Sequence, residues 1–167
     1  MPLDAAHLHL ILNHLPVIGA PLALLLLALG WIRRSGELVN VALALAVALA
    51  VATGIVYLTG EPAEEQVEHA SWFQERLTER HEEQGEFALV AMLATGAAAG
   101  AALIFRRRPR AFAWLLRGTA AGLVAGTVLL GWTAWSGGQI RHDEIRAAGG
   151  LPSSAQSREP GDRPVDR

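Results

Sequence analysis

The stretch His7–Arg34, HLHLILNHLPVIGAPLALLLLALGWIRR, decides the fold. From Leu10 to Ile32 it carries no Asp, Glu, Lys or Arg, and it is long enough to cross the ~30 Å of bilayer hydrocarbon at ~1.5 Å per helical residue. Two arginines close it on one side, and three histidines and a proline open it on the other. Each imidazole loses water on entering an apolar medium, so three of them at the mouth of a span need partners that offset the cost.

Three further runs repeat the pattern, so that spans are expected at about 10–32, 38–58, 87–105 and 111–135. The chain has 167 residues, 51% of them hydrophobic, and a mean hydropathy of +0.29. A soluble domain of this size has too little interior to hide that much apolar surface. A soluble bundle would also show charged faces at helical spacing, and these runs are nearly free of charge. The expected fold is all-α, an integral membrane four-helix bundle. Lipid is its first partner.

The basic residues set its orientation. All 14 are arginine, and the short loops after the first and third runs hold Arg33, Arg34 and Arg106, Arg107, Arg108, Arg110. The positive-inside rule puts those loops in the cytoplasm and both termini outside. Trp31 and Trp114 then fall at the inner interface, with Tyr57, Trp132 and Trp135 at the outer one, as an aromatic belt requires. The N-terminal MPLDAAH has no basic region, so the first run reads as a permanent span rather than a cleaved signal. With no cysteine there is no disulfide, thiolate site or covalent c-type haem. Nucleophile–base pairs, phosphate loops and nucleic-acid patches are also missing, which disfavours soluble enzymes and nucleic-acid partners.

On this topology all six histidines, His7, His9, His14, His69, His81 and His142, lie on the outer side. Counted along straight helices, His14 stands ~28 Å above Arg33 and His7 ~39 Å, while His81 stands ~37 Å above Arg106. By height His81 matches His7 and His9 better than His14, although helix tilt of ~20° softens these values. On angle, His7 and His14 share a face and His9 points elsewhere. Pro16 removes a helical hydrogen bond, so it either kinks the first span beside His14 or marks the first turn of the true helix.

Small residues indicate where helices touch. Gly96 and Gly100 in the third run, and Gly118, Gly122 and Gly126 in the fourth, form ridges of the small-xxx-small type, expected to pack spans three and four together. Between spans two and three, residues 61–80 read as an outer amphipathic helix with Val67, Ala70, Phe73 and Leu77 as its apolar stripe. Residues 1–148 thus form one membrane domain. Residues 149–167, rich in Gly, Pro, Ser and charge, read as a disordered tail.

HLHLILNHLPVIG, LTGEPAEE, ERHEE and GGQIRHDEIR occur in this order between His7 and Arg146. Together they resemble an uncharacterised bacterial family of four-helix integral membrane proteins, a domain of unknown function. The resemblance implies a bacterial inner-membrane protein in a redox setting, because relatives in the wider group occur beside cytochrome c and iron–sulfur modules. It points to His7, His9, His14, Glu61, Glu64, Glu65, Glu68, His81, Glu82, Arg141 and His142. His69 falls outside the motifs.

Three chemistries suit those positions. One is b-type haem held by two imidazoles from different helices, with Arg141 pairing a propionate. Its axial pair is expected to be His14 and His81, the most deeply placed histidine of span one and the one histidine of span three; His7 with His81 is the better pair by height. His9 and His142 are further candidates, and Glu82 could orient an imidazole. The second is a zinc, iron or copper site built from His7, His9, Glu61, Glu64, Glu65, Glu68, Glu82 and His142. Ferritin-like Glu-x-x-His spacing is lacking there, since Thr78 precedes His81 by three and Gln139 precedes His142 by three. The third is a structural role, the histidines bonded to carboxylates or carbonyls within a subunit of a larger membrane complex. A redox partner is expected under the first reading.

Overall fold

The computed structural model describes residues 4–142 and residue 146. The expected tail at 149–167 lies outside the described residues. Six helices follow one another: α1 (Ala5–Leu12), α2 (His14–Arg33), α3 (Gly36–Leu58), α4 (Gly60–Val67), α5 (Glu75–Ile104) and α6 (Pro109–Arg141). Taken with their short extensions, four helical segments are long and apolar enough to cross a membrane: Ala5–Arg33, Gly36–Val67, Glu75–Ile104 and Pro109–Arg141. The chain is an all-α, multi-pass membrane bundle.

Local chemistry explains the helix boundaries. Asp4 caps α1, its carboxylate accepting from the His7 backbone N–H at 2.8 Å. Pro16 has no N–H to give the Leu12 carbonyl, and the break between α1 and α2 falls beside it, at Asn13. Asn13 keeps right-handed helical angles (φ −61°, ψ −25°), so the chain changes register there without turning away. α1 is therefore a separate outer piece, and the two sequence readings of Pro16 merge into one geometry. α2 ends in a Schellman turn in which Arg34 takes φ 52° and the Ser35 N–H reaches the Gly30 carbonyl at 2.9 Å. Ser35 then caps α3 through Leu38 N–H, and Pro109 opens α6 in the position where its missing N–H costs nothing.

The bundle closes as a ring. α2 packs on α3, α3 on α5, α5 on α6, and α6 returns to α2. Successive spans are antiparallel, which puts the α2–α3 and α5–α6 connections, with their arginines, at one end. The histidines gather at the other end. The core is made chiefly of Ala and Leu, including Ala23, Leu43, Ala46, Met92, Ala99 and Leu123. Small side chains let the backbones approach, which is how apolar helices gain contact in a solvent as apolar as themselves. Large apolar groups such as Leu25, Val90 and Val128 point outward, where lipid and not water is their natural neighbour. Thr53, Thr95, Thr119, Thr127 and Thr133 each return their hydroxyl to the carbonyl four residues back, so none carries an unpaired donor into the span.

Two expectations need correction. The glycine ridges do not all join spans three and four: Gly96 and Gly100 face Ala50 and Val47 of α3, while Gly122 and Gly126 face Thr95 and Met92 of α5. Gly118 meets nothing. α5 lies between two neighbours, so its small residues serve α3 and those of α6 serve α5. The outer helix expected over 61–80 is likewise two pieces. α4 prolongs the direction of α3 and lies against α1, turns occupy 68–74, and α5 starts at Glu75. A chain that leaves the bundle along α3 must reverse before it descends as α5, and one straight helix cannot do that. Trp72, in the turn, stacks under the Arg141 guanidinium at 4.7 Å and ties the reversal to the end of α6.

Asp4 shows how α1 responds to pH. The His7 backbone N–H first, and its ring second, hold the Asp4 carboxyl below the ordinary carboxylate value. A lowered folded value means that the cap contributes fully above the unfolded pKa and is lost as pH falls through the lowered one. Amide exchange at His7, corrected for its intrinsic pH dependence, should lose protection on acidification in the native protein. In Asp4→Ala it should be unprotected at all pH values.

Candidate functional site

At the histidine end a cavity of about 250 Å³ opens between the helices. Its floor is apolar, formed by Pro16, Val17, Ala88 and Leu130, and its rim carries His9, His81, Glu61, Glu64 and Glu82. Every helix contributes to the wall. α1 and α4 supply the upper side, with Thr59 and Gly60 joining α3 to α4.

The hydrogen bonds of the two imidazoles determine what they offer. The His9 Nδ1 lies 3.0 Å from the Thr59 hydroxyl oxygen, and that hydroxyl donates its own proton to the Val56 carbonyl at 2.7 Å. With its proton committed, Thr59 must accept, so His9 Nδ1 carries a hydrogen. The His81 Nδ1 lies 2.9 Å from the Thr133 carbonyl and 3.2 Å from Ser136 Oγ, whose hydroxyl donates to the same carbonyl at 2.9 Å. A carbonyl can only accept, so His81 Nδ1 is a donor too. In both neutral rings Nε2 is therefore the free lone pair. No hydrogen bond to either Nε2 is present among the described residues.

The two rings are neighbours, with centroids 6.4 Å apart and planes at 78°. Two lone pairs give each other no hydrogen bond, so this approach gains nothing from a direct contact between Nε2 atoms.

Packing holds His81 in this seat. Its ring lies on the backbone of α6 at Gly137, where an added Cβ would come within 2.8 Å of Cε1 and 3.1 Å of Nδ1. A methyl group there would oblige the ring to shift from its place beside the Thr133 carbonyl.

The remaining candidates stand elsewhere. His14 is exposed and turns its Nδ1 back to the Leu10 carbonyl at 2.7 Å, away from His81. Five positions beyond His9 is ~140° around a helix, so one ring in the cavity puts the other outside it. His7 is exposed and bonded to Asp4 at 2.8 Å. Glu65, Glu68 and His142 are exposed and do not line the cavity, and His69 sits 3.6 Å from Glu68 on the outer turn. Arg141 is engaged with Trp72, and among the described residues no arginine lines the cavity.

Sequence reasoning missed Thr59, Thr133, Ser136 and Gly137, which orient the rings. A signal was present in LTGEP and WSGGQ, where a hydroxyl residue stands next to glycine. Fold and site define a class, a multi-pass membrane four-helix bundle with a two-imidazole cavity at one end. Among known proteins, no family model, curated protein or solved structure matches the chain.

Proposed function

We propose that the protein is a membrane electron-transfer protein or subunit that holds b-type haem between His9 and His81. The observation that carries this reading is the pair of imidazoles that line one cavity with ring centroids 6.4 Å apart, each fixed through its Nδ1. A structural role accounts for the Nδ1 bonds and leaves the two Nε2 atoms without a hydrogen bond among the described residues. Donor count favours haem over a bare ion. Among the described residues no group of three or more His, Asp or Glu side chains is placed to hold a metal, whereas haem asks the protein for two axial ligands only. The group would supply one-electron chemistry, with the protein setting its potential through ligand basicity and burial.

Residues of the chain have defined parts in this. Thr59 and the Thr133 carbonyl strengthen the imidazoles as ligands by accepting their Nδ1 protons. Ala88, Leu130 and Val17 keep water from the deep side of the cavity. Arg141, beyond the rim, is the cation closest in sequence to the site end of α6 and remains the candidate for a propionate, released from Trp72. The arginine loops support an orientation with both termini and the site outside, and the sequence resemblance supports a bacterial inner membrane; a soluble redox partner or a larger membrane complex would reach the site there.

A second reading rests on the rim. Glu61, Glu64 and Glu82 face a cavity that no arginine lines among the described residues, a field that suits a single zinc, iron or copper ion on two imidazoles better than it suits two propionates. One measurement separates the two. Protein extracted from its native membrane should show a Soret band that sharpens and shifts on reduction. A colourless protein with stoichiometric metal by mass spectrometry supports the single ion, and a colourless protein free of metal overturns both.

Gly137→Ala offers a finer check. The new methyl group would push the His81 ring off its carbonyl and should lower cofactor affinity by about tenfold, the effect of losing a supporting contact to a ligand. Gly131→Ala, where an added Cβ meets nothing within 4 Å, should leave cofactor content unchanged.

A further inference from the structure

The end of the bundle opposite the cavity has a separate chemistry. Arg33, Arg34, Arg106, Arg107, Arg108, Arg110 and Arg117 gather there, all exposed. Glu37 is the one carboxylate in the two loops and the adjoining helix turns. Among the described residues none of the seven arginines has a carboxylate within 4.0 Å, since the ion pairs present are His7–Asp4 and His69–Glu68. Arg34 takes the left-handed φ of 52° at a helix end where glycine is the usual occupant. A cation is kept there against the backbone's preference.

The surroundings of these cations are apolar. Ile32 is 79% exposed, Ile104 75% and Trp114 71%. The Arg117 guanidinium lies 5.2 Å from the Trp114 ring centre and that of Arg108 5.7 Å from Phe105. Each aromatic supports a cation with its face while its edge stays with the hydrocarbon-facing surface. A water-soluble polyanion would meet the guanidinium groups and leave that apolar collar bare. A lipid with an anionic head satisfies both at once.

We propose that the arginine end, centred on Arg108 and Arg117 beside Phe105 and Trp114, binds the phosphodiester of anionic phospholipids, with the acyl chains lying on Ile32, Ile104 and Trp114. Guanidinium forks match phosphate oxygens two at a time, which zwitterionic heads answer less well because their own ammonium competes. The lipid is an annular ligand selected at this end only, since the opposite end is lined by carboxylates that repel it.

The test uses the full chain with Trp72, Trp132 and Trp135 replaced by phenylalanine, leaving Trp31 and Trp114 as reporters at the arginine end. In vesicles of phosphatidylcholine with a minor fraction of phosphatidylglycerol, brominated phosphatidylglycerol should quench at least about twice as strongly as brominated phosphatidylcholine at equal mole fraction. Arg108→Gln/Arg117→Gln, which keeps five arginines to hold the topology, should bring the ratio near one. Equal quenching by the two lipids overturns the proposal. So does a ratio abolished by excess soluble glycerol phosphate, which marks a free-phosphate site, or by a single-stranded oligonucleotide, which marks a polyanion surface. Native mass spectrometry of the unmodified protein gives an independent reading: phosphatidylglycerol adducts should survive at collision energies that remove phosphatidylcholine, and equal survival again overturns it.

Discussion

Under the proposed function, His9→Ala and His81→Ala should each leave the purified protein without cofactor, whereas His14→Ala and His69→Ala should retain it in full. The rings of His9 and His81 share one cavity and one separation, 6.4 Å. Removing either leaves a single imidazole, and a metal centre that loses one of two protein ligands loses most of its affinity. Thr59→Val belongs to the same series. It keeps the shape of the side chain but removes the hydroxyl that accepts from His9 Nδ1, so affinity should fall by about 10–100-fold, and Thr59→Ser should restore it. Cofactor per chain, from absorbance or metal analysis against protein concentration, reads all six variants. Full occupancy in His9→Ala would dismiss the pair, and loss in His14→Ala would return the ligand role to the residue that depth alone favoured.

Gly96→Leu should destabilise the bundle by about 1–3 kcal/mol, while Gly118→Leu should leave its unfolding midpoint in place. An added Cβ on Gly96 runs into the Ala50 Cβ and lies 3.6 Å from the Ala46 carbonyl. A methyl carbon attached to the α3 backbone has no rotamer to escape through, so the helices must separate. At Gly118 nothing lies within 4 Å, and a leucine there joins the surface that already faces outward. Denaturant or thermal unfolding in one detergent compares the two. Equal destabilisation would mean that Gly118 also sits in an interface.

Both expectations show what the sequence makes legible. Spans could be read from Leu10–Ile32 and its three counterparts because hydrocarbon thickness imposes a length that few other constraints imitate. The gathering of histidines at one end followed from the same count. The pairing did not. Height along an axis is a sum of residues, while the face a residue presents depends on the break at Asn13 and on how α1 lies against α4, both set by contacts far apart in the chain. Glycine ridges failed for a related reason: Gly96 marks a close approach without naming the helix that approaches. The extended helix expected over 61–80 rested on an apolar stripe that is present, yet the reversal of the chain overrode it.

The hydrogen bond between His9 and Thr59 joins residues 50 positions apart, and His81 lies beyond both. During synthesis the first span is therefore in the membrane long before anything can hold its imidazole in place. The site is assembled in the order α1, then the Thr59 hydroxyl, then the ring on α5, and finally the Thr133 carbonyl and the glycine seat on α6. A ribosome-bound chain that has released only its first two spans has a single oriented imidazole and no receptacle. Under the proposed function, loading would belong to maturation after insertion, and a cell that lacks the cofactor should still accumulate the empty bundle rather than stall its biogenesis.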